Sequence, residues 1–143
     1  MIQQDIYLLQ QVYQNAIIGS DAVGHLISKS TDSELIKNMT SRMFEYKRIA
    51  QKAVQQLAVY HMVPKPLPAM KKAAIISGIG INTLFNVKSS HLAELLMNGN
   101  TMGIIAITKQ LNQASGCSGQ AIALGNELLQ LEYSYLESNK IFL

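Results

Sequence analysis

Cysteine is almost missing from this 143-residue sequence: Cys117 stands alone, so no internal disulfide can form. A lone cysteine, with no charged-apolar-small leader pattern at the N-terminus, sets the expectation of a reducing, cytoplasmic environment. Charge is scarce as well, at 15% of residues, so the surface has to be built from Gln, Asn, Ser and Thr and offers few ion pairs. The net charge of +3 comes from basic residues scattered along the chain, which argues against nucleic acid as a partner. The longest uncharged apolar-rich run, residues 73–87, falls short of the roughly 20 residues of a bilayer crossing; it is read as core, with no membrane span. Proline occurs only as Pro64, Pro66 and Pro68. No tract is biased enough to be a linker, and no repeat of solenoid length is present. Hardly any segment alternates with period two, so strands are not expected.

What is there is helical spacing. One domain over residues 1–143 is long enough to bury about two-thirds of the surface its unfolded form exposes. Ile2, Ile6, Leu9, Tyr13, Ala16, Ser20, Val23 and Ile27 recur in threes and fours, the spacing of one helix face, with Gly19 and Gly24 expected at close helix contacts. Thr31 and Glu34 have the spacing of a capping box that opens a second helix. Its seam runs Ile36, Met39, Met43, Tyr46, Ala50, Ala53, Leu57 and Tyr60 and stops at the prolines. A third helix is expected from Pro68 to about Asn98, ended by a left-handed Gly99, with Thr101 capping the next. That fourth segment is interrupted between Ser115 and Gly119, and a last helix turns Ala121, Leu124, Leu128, Leu131 and Tyr135 inward. The expected fold is all-α: an antiparallel up-and-down four-helix bundle whose fourth helical segment is broken near Ser115 and Gly119.

A bundle of long helices raises the question of a dinuclear metal site, which takes inward glutamates and Glu-x-x-His pairs. That motif does not occur. Glu45 is followed by Arg48 where histidine is needed, and His91-Leu-Ala-Glu94 has the reverse order, with Glu94 off the apolar stripe. His91 and Glu94, one turn apart, are the candidate metal pair, for iron, manganese or zinc with a carboxylate such as Glu127 or Glu132; an ordinary surface pair is the simpler account. Asp21 and His25 are weighed alike, and His61 is read as a cation near a helix C-terminus. Lys88 and Glu132 each fall inside an apolar stripe, and either reach the bundle rim or pair with each other.

Cys117 has no histidine near it in sequence, and no serine sits in a G-x-S-x-G elbow, so no catalytic residue is assigned. Gly78-Ile-Gly80 lacks the strand and third glycine of a dinucleotide loop. Met39 and Met43 fall on a core seam, where methionines line adaptable pockets for small apolar ligands. Apolar side chains beyond a single stripe, among them Ile18, Phe44, Ile75, Ile79 and Met97, suggest a homodimer face.

The run HLAELLMNGNTMGII with the final LGNELLQLEYSYLESNKIFL resembles uncharacterised ferritin-like helical proteins of spore-forming Firmicutes. The first two helices, DIYLLQQVYQNAIIGSDAVGHLISKSTDSELIKNMTSRMFEYKRIAQKAVQQL, resemble the spore coat F-type domain. The resemblance implies a ferritin-like fold and a coat or stress-related role, cytoplasmic or spore-associated. It carries over no catalytic residue and no cofactor. The expectation is a non-enzymatic structural or interaction protein, self-associating as a dimer, with the metal-binding or oxidoreductase bundle as its alternative.

Overall fold

The seam spacing of the first sixty residues becomes two long helices, α1 (Ile2–Ile27) and α2 (Ser33–Val59). They belong to a computed structural model that describes residues 2–143. From α1, Leu9, Ala16, Ser20 and Val23 go inward; from α2, Met39, Tyr46, Ala50, Ala53 and Leu57 do so. α2 is opened by Asp32 rather than by Thr31: Asp32 Oδ1 accepts from the Glu34 and Leu35 N–H groups at 3.0 and 3.2 Å. A carboxylate at the N-cap satisfies two orphan donors directly, which leaves Thr31 exposed. At the other end His61 lies just past the last turn in the left-handed region, φ 58°, and the Met62 N–H closes on Leu57 O at 3.1 Å.

The chain then crosses the molecule. Gln10, buried on α1, grips the extended stretch after α2 as a second backbone would: its Nε2 donates to Val63 O at 3.0 Å and its Oε1 accepts from the Lys65 N–H at 2.7 Å. α3 (Ala69–Thr83) follows and packs chiefly on α1. α4 (Ser89–Asn112) and α5 (Gly119–Ser138) complete the helices, with a 3-10 turn over Lys140–Phe142; among the described residues there is no strand.

Two expectations about the third helix are corrected. It does not reach Asn98, because the chain breaks at residues 84–88, and it does not end at Gly99, because α4 runs unbroken through Asn98, Gly99 and Asn100. Gly99 is exposed with open space around it, so its cost is the modest helix-interior penalty of roughly 1 kcal/mol, and burial of Leu96, Asn100 and Ile107 on the same helix outweighs it. At the true break, Asn82 Nδ2 and Thr83 Oγ1 both bond back to carbonyls of α3 at 2.7 Å, and Asn86 Oδ1 accepts from the Lys88 N–H at 3.1 Å. Short polar side chains that bond to nearby backbone in this way compete with helix continuation. The interruption between α4 and α5, residues 113–118, covers the expected one.

The ends of the helices fix their directions. Asp5, near the start of α1, accepts from the Tyr60 hydroxyl at 2.5 Å and from the Ser118 N–H at 2.6 Å. The finish of α2 and the start of α5 therefore lie at one end of the molecule. At the other, Ser89 donates to Asp32 Oδ2 at 2.8 Å and Asn38 Nδ2 to Ser138 Oγ at 3.1 Å. α2 and α4 thus run the same way, with α3 as the crossover between them, so the strictly up-and-down order is replaced by up, down, down, up. The core between α1, α2, α4 and α5 is filled by side chains such as Leu9, Ile49, Leu92, Ile107 and Leu128.

Candidate functional site

Where α3 crosses, it does not seal against the helices beneath. A cleft of about 670 Å³ lies between α1, α3 and α4. α1 contributes Ile18, Ala22 and Val23 to its wall; α3 contributes Ile75, Gly78 and Ile79; α4 contributes Leu95, Met102 and Ala106. Of the apolar surplus expected at a dimer face, Ile18, Ile75 and Ile79 therefore line this cleft, Met97 is half-buried, and Phe44 stands exposed.

The floor is polar and deeply buried. Arg42 and Tyr46 reach it from α2 and Glu132 from α5, with Arg42 2% and Glu132 4% exposed. Two glycines make the arrangement fit. A Cβ on Gly19 would come within 2.7 Å of Tyr46 Cζ, and one on Gly103 within 2.9 Å of the Glu132 carboxyl carbon. The expected close contact at Gly19 is thus present, with the Tyr46 ring as its partner.

Asn100 Nδ2 donates to Glu132 Oε2 at 2.6 Å. Burial raises the Glu132 carboxyl above its ordinary range, and the hydrogen bonds from Asn100 and Tyr46 with the charge of Arg42 offset this only in part. Burial likewise pushes the Tyr46 hydroxyl up, so it stays a neutral donor. The Arg42 guanidinium, always charged, donates Nη2 to Leu96 O at 3.3 Å and stacks over the rings of Tyr46 and Tyr135 at 5.8 and 5.3 Å. Arg42 Nε and Nη1 and Asn100 Oδ1 are buried without hydrogen-bond partners. Unpartnered buried polar atoms cost on the order of 1–3 kcal/mol each; the two Arg42 nitrogens call for an acceptor and the Asn100 oxygen for a donor.

Of the two readings of Lys88 and Glu132, the pair with each other does not form, and only Lys88 is exposed. Lys88 is exposed at the N-cap of α4, while Glu132 turns to Asn100 and Gly103. The hydrogen-bond partner of Glu132 is Asn100, with the Arg42 charge also acting on it; Arg42, three residues after Met39 and four before Tyr46, lies on the buried face of α2, a charge that sequence reasoning passed over.

His91 and Glu94 sit in the first turns of α4, with His91 Nδ1 3.7 Å from Glu94 Oε2. The His91 Nε2 lies 2.7 Å from Asn82 O; a carbonyl only accepts, so Nε2 carries the proton. His91 thereby ties the end of α3 to the start of α4. Among the described residues no cluster of three His, Cys, Asp or Glu side chains is assembled. Glu127 is held by Arg48 and Lys52 at 2.6 and 3.2 Å, and Glu132 lies at the cleft floor, so neither joins His91. Asp21 pairs with Lys72 at 3.6 Å rather than with His25.

At the opposite end, Cys117 is half-buried beside Asp5 and a shallow pocket of about 210 Å³. Burial and the Asp5 charge raise its thiol pKa, the reverse of what activates a nucleophile. Asp5 itself stays below the usual carboxylate range: burial works to raise it, but hydrogen bonds from Tyr60, the Ser118 N–H and Cys117 together outweigh that. Compared with protein-family models, curated proteins and solved structures, the chain matches none.

Proposed function

We propose that the protein is a non-enzymatic helical bundle that holds a small, largely apolar molecule between α1, α3 and α4. The cleft itself carries this: its volume of about 670 Å³ is that of a small-ligand site, and its apolar walls converge on a few polar groups. An oxygen at the polar end of the guest would accept from Arg42, beside the Glu132 carboxyl, which burial raises above its ordinary range. Met39 and Met43, the methionines that point to an adaptable pocket in the sequence, do not line the cleft; Met102 stands on its wall, and Met39 is core.

A ferritin-like relationship is supported by four long helices with one long crossover, a connection that ferritin-like bundles use. The metal-dependent alternative has less behind it, since His91 is engaged by Asn82 and no third ligand joins it and Glu94 among the described residues. Self-association through Phe44 rests on the exposure of that ring.

Titration with anilinonaphthalene sulfonate, an apolar ring system with one anionic group, tests the cleft. Gly78→Leu fills space that is open at present and should weaken binding by about tenfold or more, since about 1.4 kcal/mol corresponds to two lost methylene contacts. Its thermal midpoint should hold or rise, because leucine is the better helix former. Phe85→Asp, outside the cleft, serves as the control for adsorption to the surface. Equal affinity in wild type and Gly78→Leu would sink the proposal.

A further inference from the structure

We infer that the outer face of α3, with the bend that follows it, docks on an anionic lipid surface. At 3.6 residues per turn, Met70, Ala73, Ile76, Ser77, Gly80 and Ile81 share the side of α3 turned away from the cleft, and all six are exposed. No charge interrupts that face, and Ser77 is its one side chain able to hydrogen-bond. The apolar surface continues into the bend, where Leu84 is 68% and Phe85 95% exposed. α3 thus turns Ala74, Ile75 and Ile79 toward the cleft, with Lys71 and Asn82 at that side too, and is apolar toward solvent as well, close to the pattern of a helix covered on all sides, whereas its main contact is α1 alone.

The charges around this face have one sign. No Asp or Glu occurs between Glu45 and Glu94, while Lys65, Lys71, Lys72 and Lys88 lie within or beside α3. Lys72 reaches Asp21 of α1; Lys65 and Lys88, at the two ends of the crossover, are exposed and have no carboxylate within ion-pair distance among the described residues. An uncharged apolar stripe flanked by lysines is the make-up of a helix that lies in a membrane interface, apolar side in the acyl boundary and ammonium groups among anionic headgroups. Among the described residues no helix is long and apolar enough to cross a membrane, so the docking inferred is at the surface.

A second copy of the chain fits less well. Two such faces placed together would bring like lysines side by side with no acid in the segment to pair with them. An acidic protein would meet the lysine rim but would find no hydrogen-bonding side chain except Ser77 across the centre, which suits hydrocarbon better than a protein groove. This inference does not rest on the occupancy of the cleft.

Vesicle flotation tests it, with phosphatidylcholine alone and with phosphatidylcholine and phosphatidylglycerol in equal parts. The wild-type chain should float with the mixed vesicles and release as salt is raised. Ile81→Asp with Phe85→Asp, both at exposed sites, should keep its circular dichroism spectrum and lose flotation. Lys65→Gln with Lys88→Gln should weaken binding about 25-fold, at about fivefold for each lysine. Absence of wild-type flotation, equal flotation on both vesicle types, or flotation unchanged in the Ile81/Phe85 variant each overturns the inference. A wild type that ignores vesicles but dimerises through this face overturns it in favour of a second copy. Retention on immobilised polyglutamate without vesicle binding overturns it in favour of an acidic protein.

Discussion

Glu132 of α5 occupies the space that a side chain at position 103 of α4 would fill, with its carboxyl carbon 2.9 Å from where that Cβ would stand. The bare backbone at Gly103 is what lets a carboxyl enter the cleft floor. Asn100, three residues earlier on the same helix, supplies the hydrogen bond that receives it at 2.6 Å.

Gly103→Ala should therefore destabilise the fold by about 1–3 kcal/mol, the usual range for overpacking, despite the roughly 1 kcal/mol that alanine gains in a helix interior. Gly99→Ala, one turn earlier with open space around it, should show that gain and nothing else. Urea denaturation of the two variants makes the comparison. Similar shifts of the same sign would remove the role given to Gly103.

The stability of the chain should depend on pH through carboxyls of opposite sense, Glu132 being raised while Asp5, like Asp32 and Glu127, is lowered. The Glu132 carboxyl is raised above its ordinary 4.5 by burial, so the folded chain keeps this proton longer than the unfolded chain. Its contribution is full below about 4.5 and is lost as pH rises through the folded value. Asp5 is depressed below its ordinary 3.8 because its hydrogen bonds together outweigh burial; its contribution is present above that value and is lost as pH falls through the folded one. Glu132→Gln removes the first effect alone, so the variant should gain stability relative to wild type between about pH 4 and about pH 7. Denaturant midpoints that differ by the same amount at both ends would contradict this.

His61 holds a left-handed backbone at the end of α2, φ 58°, where glycine is the usual residue. His61→Gly should raise stability by about 1 kcal/mol, the strain that a Cβ adds there, and His61→Ala should not. A thermal midpoint unchanged by glycine would show that the strain is relieved elsewhere.

The bond from His91 to Asn82 O at 2.7 Å spans the 84–88 bend. His91→Ala should speed chymotryptic cleavage at Phe85 several-fold while changing global stability by no more than about 1 kcal/mol, the net worth of one hydrogen bond. Zinc titration of the same variant provides the second readout. Stoichiometric metal lost with the imidazole would return His91 and Glu94 to the role of ligands.

The first two helices were legible because their seams repeat without interruption and burial follows the repeat. Gly99 misled for an instructive reason: Asn-Gly-Asn has the local preferences of a turn, but Asn100 is required inside the molecule by Glu132, thirty-two positions away, and local preference gives way to packing. The break at 84–88 left a weaker trace, in Asn82, Thr83 and Asn86, whose side chains bond back to their own backbone. Glu132 stood out as a charge in an apolar stripe, yet its neighbours could not be read from spacing, because Arg42 and Asn100 come from two different helices. The cleft had no local signature at all; it arises from how far α3 stands from α4.

Gln10 clasps the backbone at Val63 and Lys65, and this anchor divides the molecule kinetically. Downstream of it, α3 is tied back by Lys72 to Asp21 and by Asn82 to His91. Held mainly by these ties and by α1, the segment between anchor and bend should open at lower cost than the other four helices. Its amide hydrogens would then exchange through a local opening of low free energy, ahead of those in α1, α2, α4 and α5. An opening of that kind would give the guest proposed for the cleft a way in and out without unfolding the core.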